Sequence, residues 1–454
     1  MRTLRSMKIA AIALTMIVTA GVSACSQSSG TEEEASWAGA DPSEASGTVT
    51  FWSWGDSPDI VNAAVASFNE VYPDIEVSAK VVSYKDYVSA LGAALASGEG
   101  PDTFNLEPAM AQQFTDFAED LVPLYEAQVG AEWRSSVSTV AVDELTVDDR
   151  LVAAPNSLSV AGTLQLNVGL LDELGLEFPT GSVAPDELAQ FCETVRQAGK
   201  ACVSIGAKDG WVSQDVFQAI ASSVAPGAFA AAVEGGDWTA PGLESSLDIW
   251  QSFFTDGVFQ DGALGVSQYP DAWNAWLRGE AVATPVGSWG ATDFITATNL
   301  NNQSGAGVSD PAPLQTVLVP FPAVGGDPTT LAASVGSGTA INVDSENKAA
   351  AAAWVNWYST DPAGYQKLGA DTLVGPASVT GVEATPGDVA YPELVEDSLA
   401  LLAATAAQEA EPRAIPYPEL VTALAAALQS SATGESSSTV LETLQAASDG
   451  ITRG

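Results

Sequence analysis

Residues 47–105 are GTVTFWSWGDSPDIVNAAVASFNEVYPDIEVSAKVVSYKDYVSALGAALASGEGPDTFN. Residues 47–54 alternate β-branched and aromatic side chains, which predicts a strand. Gly55, Asp56, Ser57 and Pro58 end it. Residues 59–72 then set Ile60, Ala63, Ala64, Val65 and Phe68 on one helical face. Pro73 and Asp74 turn the chain into a second strand over residues 75–82. Residues 86–96 form a small-residue helix that stops at Gly98, and residues 101–105 start a third strand. An order β-α-β-α-β implies a parallel, doubly wound sheet. Ligands of such sheets sit beyond the C-terminal strand ends. Here those ends are Trp54 to Asp56, the segment around Tyr84, and Asn105 to Glu107.

The mixed α/β pattern continues. Residues 151–155, 162–167, 316–321 and 339–343 predict strands. Residues 170–174, 185–197, 246–256, 269–279, 348–359, 395–407 and 418–428 predict helices. Trp250, Trp273, Trp276, Trp354 and Trp357 fall at core spacing on those helices. Residues 436–438 look like a small polar loop, and no internal repeat is visible.

The N-terminus is a different kind of segment. Arg2, Arg5 and Lys8 precede an apolar run at residues 9–19, which is too short for a bilayer span of about 20 residues. Small residues follow and lead to Cys25. This is the layout of a secretory signal with a lipoprotein-type ending, so residues 1–24 are expected to be the signal peptide and Cys25 the lipidated residue. Residues 25–46 are rich in Ser, Gly, Ala and Glu, and are expected to be a flexible tether. A protein so held works on the extracytoplasmic face of the membrane, away from ATP, nicotinamide cofactors and nucleic acid.

Composition narrows the function further. With 15 basic against 57 acidic residues the net charge is −42, so nucleic acid and anionic lipid surfaces are poor partners. Anionic ligands usually need clustered Arg or Lys, and cations are scarce here. The acidic residues are spread along the chain, as in a solvated coat or a protein of a saline or acidic habitat. There are three Cys and no His. Without His, Ser-His-Asp and Cys-His catalysis are excluded and a zinc set is poor. Cys192 and Cys202 form an even pair in an oxidising compartment, which favours a disulfide; two free buried thiols are the alternative.

Several motifs resemble, in order, those of the extracellular solute-binding proteins of ABC importers, the family that includes maltose-binding protein and many sugar-binding lipoproteins. They are VTFWSWGD, FNEVYPDIEV, ALASGEGPD, RLVAAPNSLSVAGTLQLNVGLLDELGL, WLRGEAVATPVGSW, VLVPFPAVGG and SVGSGTAINVDSENKAAAAAWVNWYST. The similarity spans residues 47–454. Two departures, Leu166-Asn167 in place of Tyr-Asn and Val183-Ala184-Pro185 in place of a Trp motif, fall at structural positions. The resemblance implies two α/β lobes, a hinge crossed several times and a ligand cleft between the lobes. Lobe one is expected over 47–155 and 335–380, and lobe two over 156–334 and 381–454. It also implies a monomer that binds a sugar or oligosaccharide, passes it to an ABC permease, carries no cofactor and is not an enzyme.

A sugar presents hydroxyls at its rim and apolar faces. Its partners are aromatic rings and carboxylates or amides in an apolar cleft, and the chain has 12 Trp and 9 Tyr. The expected ligand-binding residues are Trp54 and Asp56 past the first strand, Tyr84, Glu107 past the third, Trp211, Trp289 in Gly287-Ser288-Trp289-Gly290, Asp293 on the same loop, and Tyr417 between two prolines. Trp52 is expected deeper, in the core. Two other functions fit less of the sequence. The same fold with a polyamine cargo would use the acids and rings on a cation. A secreted glycoside hydrolase would need a carboxylate pair such as Asp56 and Glu107.

Overall fold

The alternation in residues 47–53 produces β1 (Gly47–Ser53), with Val49, Phe51 and Ser53 buried and Thr50 and Trp52 half-buried. The structure is a computed structural model, and it describes residues 37–54, 57–406 and 410–453. Cys25 and Asp56 lie outside the described residues. Helix α1 (Pro58–Val71) starts where the Ser57 side chain accepts from Ile60 N–H and Pro58 takes the first turn. It buries Val61, Ala64 and Phe68, and Phe68 meets Trp354 edge-on at 5.1 Å. Then come β2 (Ile75–Val81), α2 (Tyr84–Ala96), β3 (Thr103–Leu106) and α3 (Pro108–Phe114). β1 pairs parallel with β2 on one side and β3 on the other, as a doubly wound sheet requires.

Two further long strands meet at a crossover. β4 (Ala154–Ala161) belongs to the first sheet and β5 (Thr163–Asn167) to a second, with Gly162 between them at φ +89°. A left-handed residue there suits glycine and lets the chain change sheets in one step. The second sheet continues through α4 (Pro185–Gln197), β6 (Ala201–Val203), α5 (Gly210–Val224), α6 (Pro241–Thr255), β7 (Ala281–Val286) and β8 (Thr316–Pro320), in the order β8-β5-β7-β6. The chain returns to the first sheet as β9 (Ala332–Ile341) and touches it again at β10 (Glu411–Pro412). That sheet runs β10-β9-β3-β1-β2, with β4 also paired to β9. Helices α7 (Pro392–Ala406), α8 (Pro418–Ala432) and α9 (Ser437–Asp449) close the chain.

Each sheet has its own core. One core gathers Phe51, Phe68, Tyr87, Phe104 and Trp354; the other gathers Leu164, Cys192, Phe217, Trp250 and Leu424. These are the two lobes. Cys192 of α4 and Cys202 of β6 are joined as a disulfide. Closing so short a loop contributes about 2–3 kcal/mol.

Three expectations are corrected. The division at 155/156 falls inside β4, which stays in the first sheet to Ala161. The stretch expected to be tether up to residue 46 is docked from Trp37 onward. Trp37 and Ala38 are buried in the first core, and Gln128 Nε2 donates to the Ala38 and Ala40 carbonyls. The polar loop at residues 436–438 is a helix start, because Ser436 caps α9 by accepting from Thr439 N–H. Helix α5 was not foreseen. Nearly all of it is buried, so it has no polar face to create a helical period.

Candidate functional site

The first wall of the cleft grows from the ends of consecutive strands. Trp54 follows β1, Tyr84 opens α2 just after β2, and Glu107 follows β3. Tyr84 Oη donates to Glu107 Oε1 at 2.8 Å. The Trp54 ring lies 6.1 Å from Tyr84 and 4.8 Å from Tyr87. Tyr87 Oη donates to the Asn105 carbonyl at 2.9 Å, which fixes the ring beneath them.

The second wall is assembled from distant segments. Trp211 stands at the start of α5, Trp289 on the turn Ser288–Phe294 after β7, and Tyr269 in the irregular turn Gln268–Ala272. Trp211 stacks on Tyr269 with centroids 6.0 Å apart and planes 9° from parallel. Trp289 meets Trp211 edge-on at 5.7 Å, and its Nε1 donates to Tyr269 Oη at 2.8 Å. Gly287 is needed for this fold of the turn: a Cβ there would lie 2.1 Å from the Trp289 ring and 2.6 Å from the Val160 carbonyl oxygen. Glycine in this motif therefore makes room for the indole.

Arg413 joins the walls. Its backbone N–H bonds to Ala333 O in β9, and Gln214 and Gln218 of α5 hold the carbonyls of Arg413 and Pro412, both at 2.9 Å. Its guanidinium grips Asp215 with two bonds, Nε to Oδ1 at 2.8 Å and Nη2 to Oδ2 at 3.0 Å. It sits 5.3 Å from the centre of the Trp289 ring. Burial works to pull its pKa down, but Asp215 reverses this and Glu107 and Tyr84 add to the reversal, so Arg413 is held charged. Those last two groups belong to the first wall, so its field spans the cleft.

The electrostatics mark an enclosed site. Tyr84 and Tyr269 keep 37% and 40% of their surface free, yet burial pushes both phenols up. Accessible surface together with close surrounding protein is the signature of a concave surface. Burial also raises Glu107 and Asp215, against the pull of Tyr84 and Arg413 on Glu107 and of Arg413 on Asp215. A narrow crevice beside the crossover is lined by Gly162, Thr163, Trp211, Asp215, Val286 and Phe321. At the rim, Lys85 of the first lobe lies within electrostatic reach of Asp209 and Asp271 of the second.

The structure thus gathers Trp54, Tyr84 and Glu107 in one cluster and Trp211 and Trp289 in another, with Arg413 within reach of both. Two other expected site residues lie elsewhere. Asp293 is only 2% exposed, and its carboxylate is taken by Asn299 at 3.0 Å and Asn302 at 3.1 Å. Burial raises its pKa to about 6. It braces its turn against α-helical Asn299 and Asn302. Tyr417 lies under Arg453, 5.1 Å away, with its hydroxyl 3.5 Å from Glu234. Trp52 packs against the first core at its edge: it is half-buried, with Lys80 Nζ 3.7 Å over its ring. Sequence reasoning missed Tyr269, Asp215 and Arg413. The one usable signal for Arg413 was a cation in a cation-poor chain, in a Pro-flanked stretch between two helices. Among the described residues no group of three His, Cys, Asp or Glu is placed to hold a metal ion, and no helix is long and apolar enough to cross a membrane.

Solved structures share this architecture at low sequence identity. A protein from work on xylan utilization by the thermophilic bacterium Caldanaerobius polysaccharolyticus matches with a TM-score of 0.69 at 17% identity, over 88% of this chain and 99% of that one. A maltose-bound T. maritima protein, MalE3, matches at 0.68 and 19%, over 88% and 99%. An ABC substrate-binding protein from Listeria monocytogenes in complex with cycloalternan matches at 0.66 and 16%, over 88% and 98%. No curated protein matches the sequence. Residues 63–395 match the family model of the bacterial extracellular solute-binding proteins, well over half of the chain, and the chain belongs to that family.

Proposed function

We propose that the protein captures a sugar or oligosaccharide between its lobes and hands it to an ABC import permease, as a monomer tethered to the outer face of the membrane through lipidated Cys25. What supports this reading is that two clusters, Trp54 with Tyr84 and Glu107, and Trp211 with Tyr269 and Trp289, are linked through Arg413, which stands beside Trp289 and is acted on by Glu107 and Tyr84. Rings offer flat apolar surface to sugar faces, and Glu107 and Arg413 offer charge-assisted hydrogen bonds to hydroxyls. None of this requires a bond to be broken. The proteins of similar fold include ones bound to maltose and cycloalternan, which supports a saccharide cargo. Lobe closure would turn on the crossings at Gly162, between β8 and β9, and at β10. In place of the expected division, lobe one then holds residues 37–161 and 332–380, with β10 at the joint.

The test is thermal unfolding of the chain from residue 26 against mono- and oligosaccharides, with polyamines alongside. A ligand at 100 times its Kd adds about 2.7 kcal/mol of stability. A clear rise in Tm with a neutral saccharide is expected. A rise with polyamines and none with saccharides would overturn the cargo and leave the binding role standing.

A further inference from the structure

The cleft contains one guanidinium whose main carboxylate-gripping edge is already occupied. Arg413 is the cation best placed to receive an acidic ligand, since it lies beside Trp289 and feels both walls. A guanidinium recognises a carboxylate through paired N–H groups, and here the Nε and Nη2 pair is spent on Asp215. The pair is well shielded, with the Asp215 side chain 8% exposed and that of Arg413 18%. Glu107 adds a second carboxylate within electrostatic reach, and Glu144 a third. Among the described residues Nη1 of Arg413 makes no hydrogen bond, so its N–H groups remain for ligand hydroxyls while the positive charge is already matched by Asp215.

We propose that Asp215 is a specificity-determining residue: by holding Arg413 in a two-bond pair, it makes the cleft accept neutral saccharides and reject their uronic-acid counterparts. The inference rests on the saccharide reading above and goes beyond it in naming the charge class of the ligand and the residue that sets it. A uronate entering the cleft would have to displace Asp215 from Arg413, or lie beside Glu107 and share a guanidinium whose charge Asp215 already balances. Either route desolvates an uncompensated carboxylate. A neutral hydroxyl meets neither obstacle. The acidity of the surface as a whole plays no part, because the effect depends on one bidentate contact.

The test compares matched pairs by titration calorimetry on the protein from residue 26: glucose with glucuronate, xylotriose with xylotriose carrying one glucuronate, and galactobiose with digalacturonate. The wild type is expected to favour the neutral member by about tenfold or more. Asp215→Asn frees the guanidinium edge and is expected to shift that ratio about tenfold towards the uronate. Arg413→Gln, which leaves no guanidinium, is expected to give no such shift, and so separates an unmasked cation from a loosened cleft. Equal wild-type affinity for the two members overturns the proposal without any variant, even if Asp215→Asn fails to fold. So does an unchanged ratio in folded Asp215→Asn, or an equal shift in Arg413→Gln. A fourth pair is built on whichever saccharide raises Tm most in the thermal panel above; if none raises it and the wild type binds no member of any pair, the saccharide reading is overturned and this inference falls with it. The other failures leave that reading intact.

Discussion

The two walls of the cleft are built on different plans. In the first lobe, Trp54, Tyr84 and Glu107 each follow one of three successive parallel strands, so chain order and sheet geometry place them together. In the second lobe, Trp211 and Asp215 come from one buried helix, Tyr269 from an irregular turn and Trp289 from a short turn after a strand, and Arg413 reaches them from the residue after β10. The first wall rests on a hydrogen bond between a phenol and a carboxylate. The second is a web in which each ring touches another and a buried ion pair backs them. A local wall should tolerate loss of one member, and a web should not, because its parts hold one another in place.

The largest expected effect follows from this contrast. Trp289→Ala removes the ring that contacts Trp211, Tyr269 and Arg413 together, and should cost about 2–4 kcal/mol of saccharide binding, read by calorimetry. If Trp289→Ala cost no more than Tyr84→Phe, the contrast between web and local wall would be wrong. Replacing both Cys192 and Cys202 with Ser should lower unfolding stability by about 2–3 kcal/mol, measured in denaturant, and leave saccharide affinity almost unchanged. A large loss of affinity would show that strain in the second lobe reaches its wall. Glu107→Gln keeps an acceptor for the Tyr84 hydroxyl but loses the charge, and should weaken binding by about 1 kcal/mol.

A smaller effect lies within the first lobe. Glu144 Oε2 accepts from Val335 N–H in β9 at 2.6 Å, and burial raises its pKa from near 4.5 to about 7 despite that bond and the pull of Arg413. The folded state therefore holds a proton that the unfolded state releases. Stability from this group is complete below about 4.5 and is lost as pH rises through 7. The wild-type Tm should fall more between pH 5 and 7.5 than that of Glu144→Gln. Parallel curves would contradict the assignment. Tyr417→Phe, away from both walls, should leave affinity unchanged within error.

The same contrast explains what the sequence revealed. Period-two alternation in residues 47–53 and helical spacing in residues 58–71 made the first lobe legible, and the strand-end rule then pointed to Trp54, Tyr84 and Glu107. Trp211 and Trp289 were legible as rings beside glycines. Their neighbours were not. Asp215 lies on a helix buried on all sides, which carries no amphipathic signal, and Arg413 lies in a stretch whose meaning comes only from the strand and helix that grip it. Asp293 misled because a loop acid in sequence does not show that Asn299 and Asn302 fold back onto it. Trp37 misled because a single tryptophan in a polar segment carries no period, although it packs into the first core.

The most direct test of the account is a crystal structure with the saccharide that raises Tm most. A sugar ring is expected between the two walls, in contact with Trp289 or Trp211 on one side and with Tyr84 or Glu107 on the other, and with a hydroxyl on Arg413. A saccharide bound outside the cleft, or inside it without touching either aromatic wall, would contradict the account.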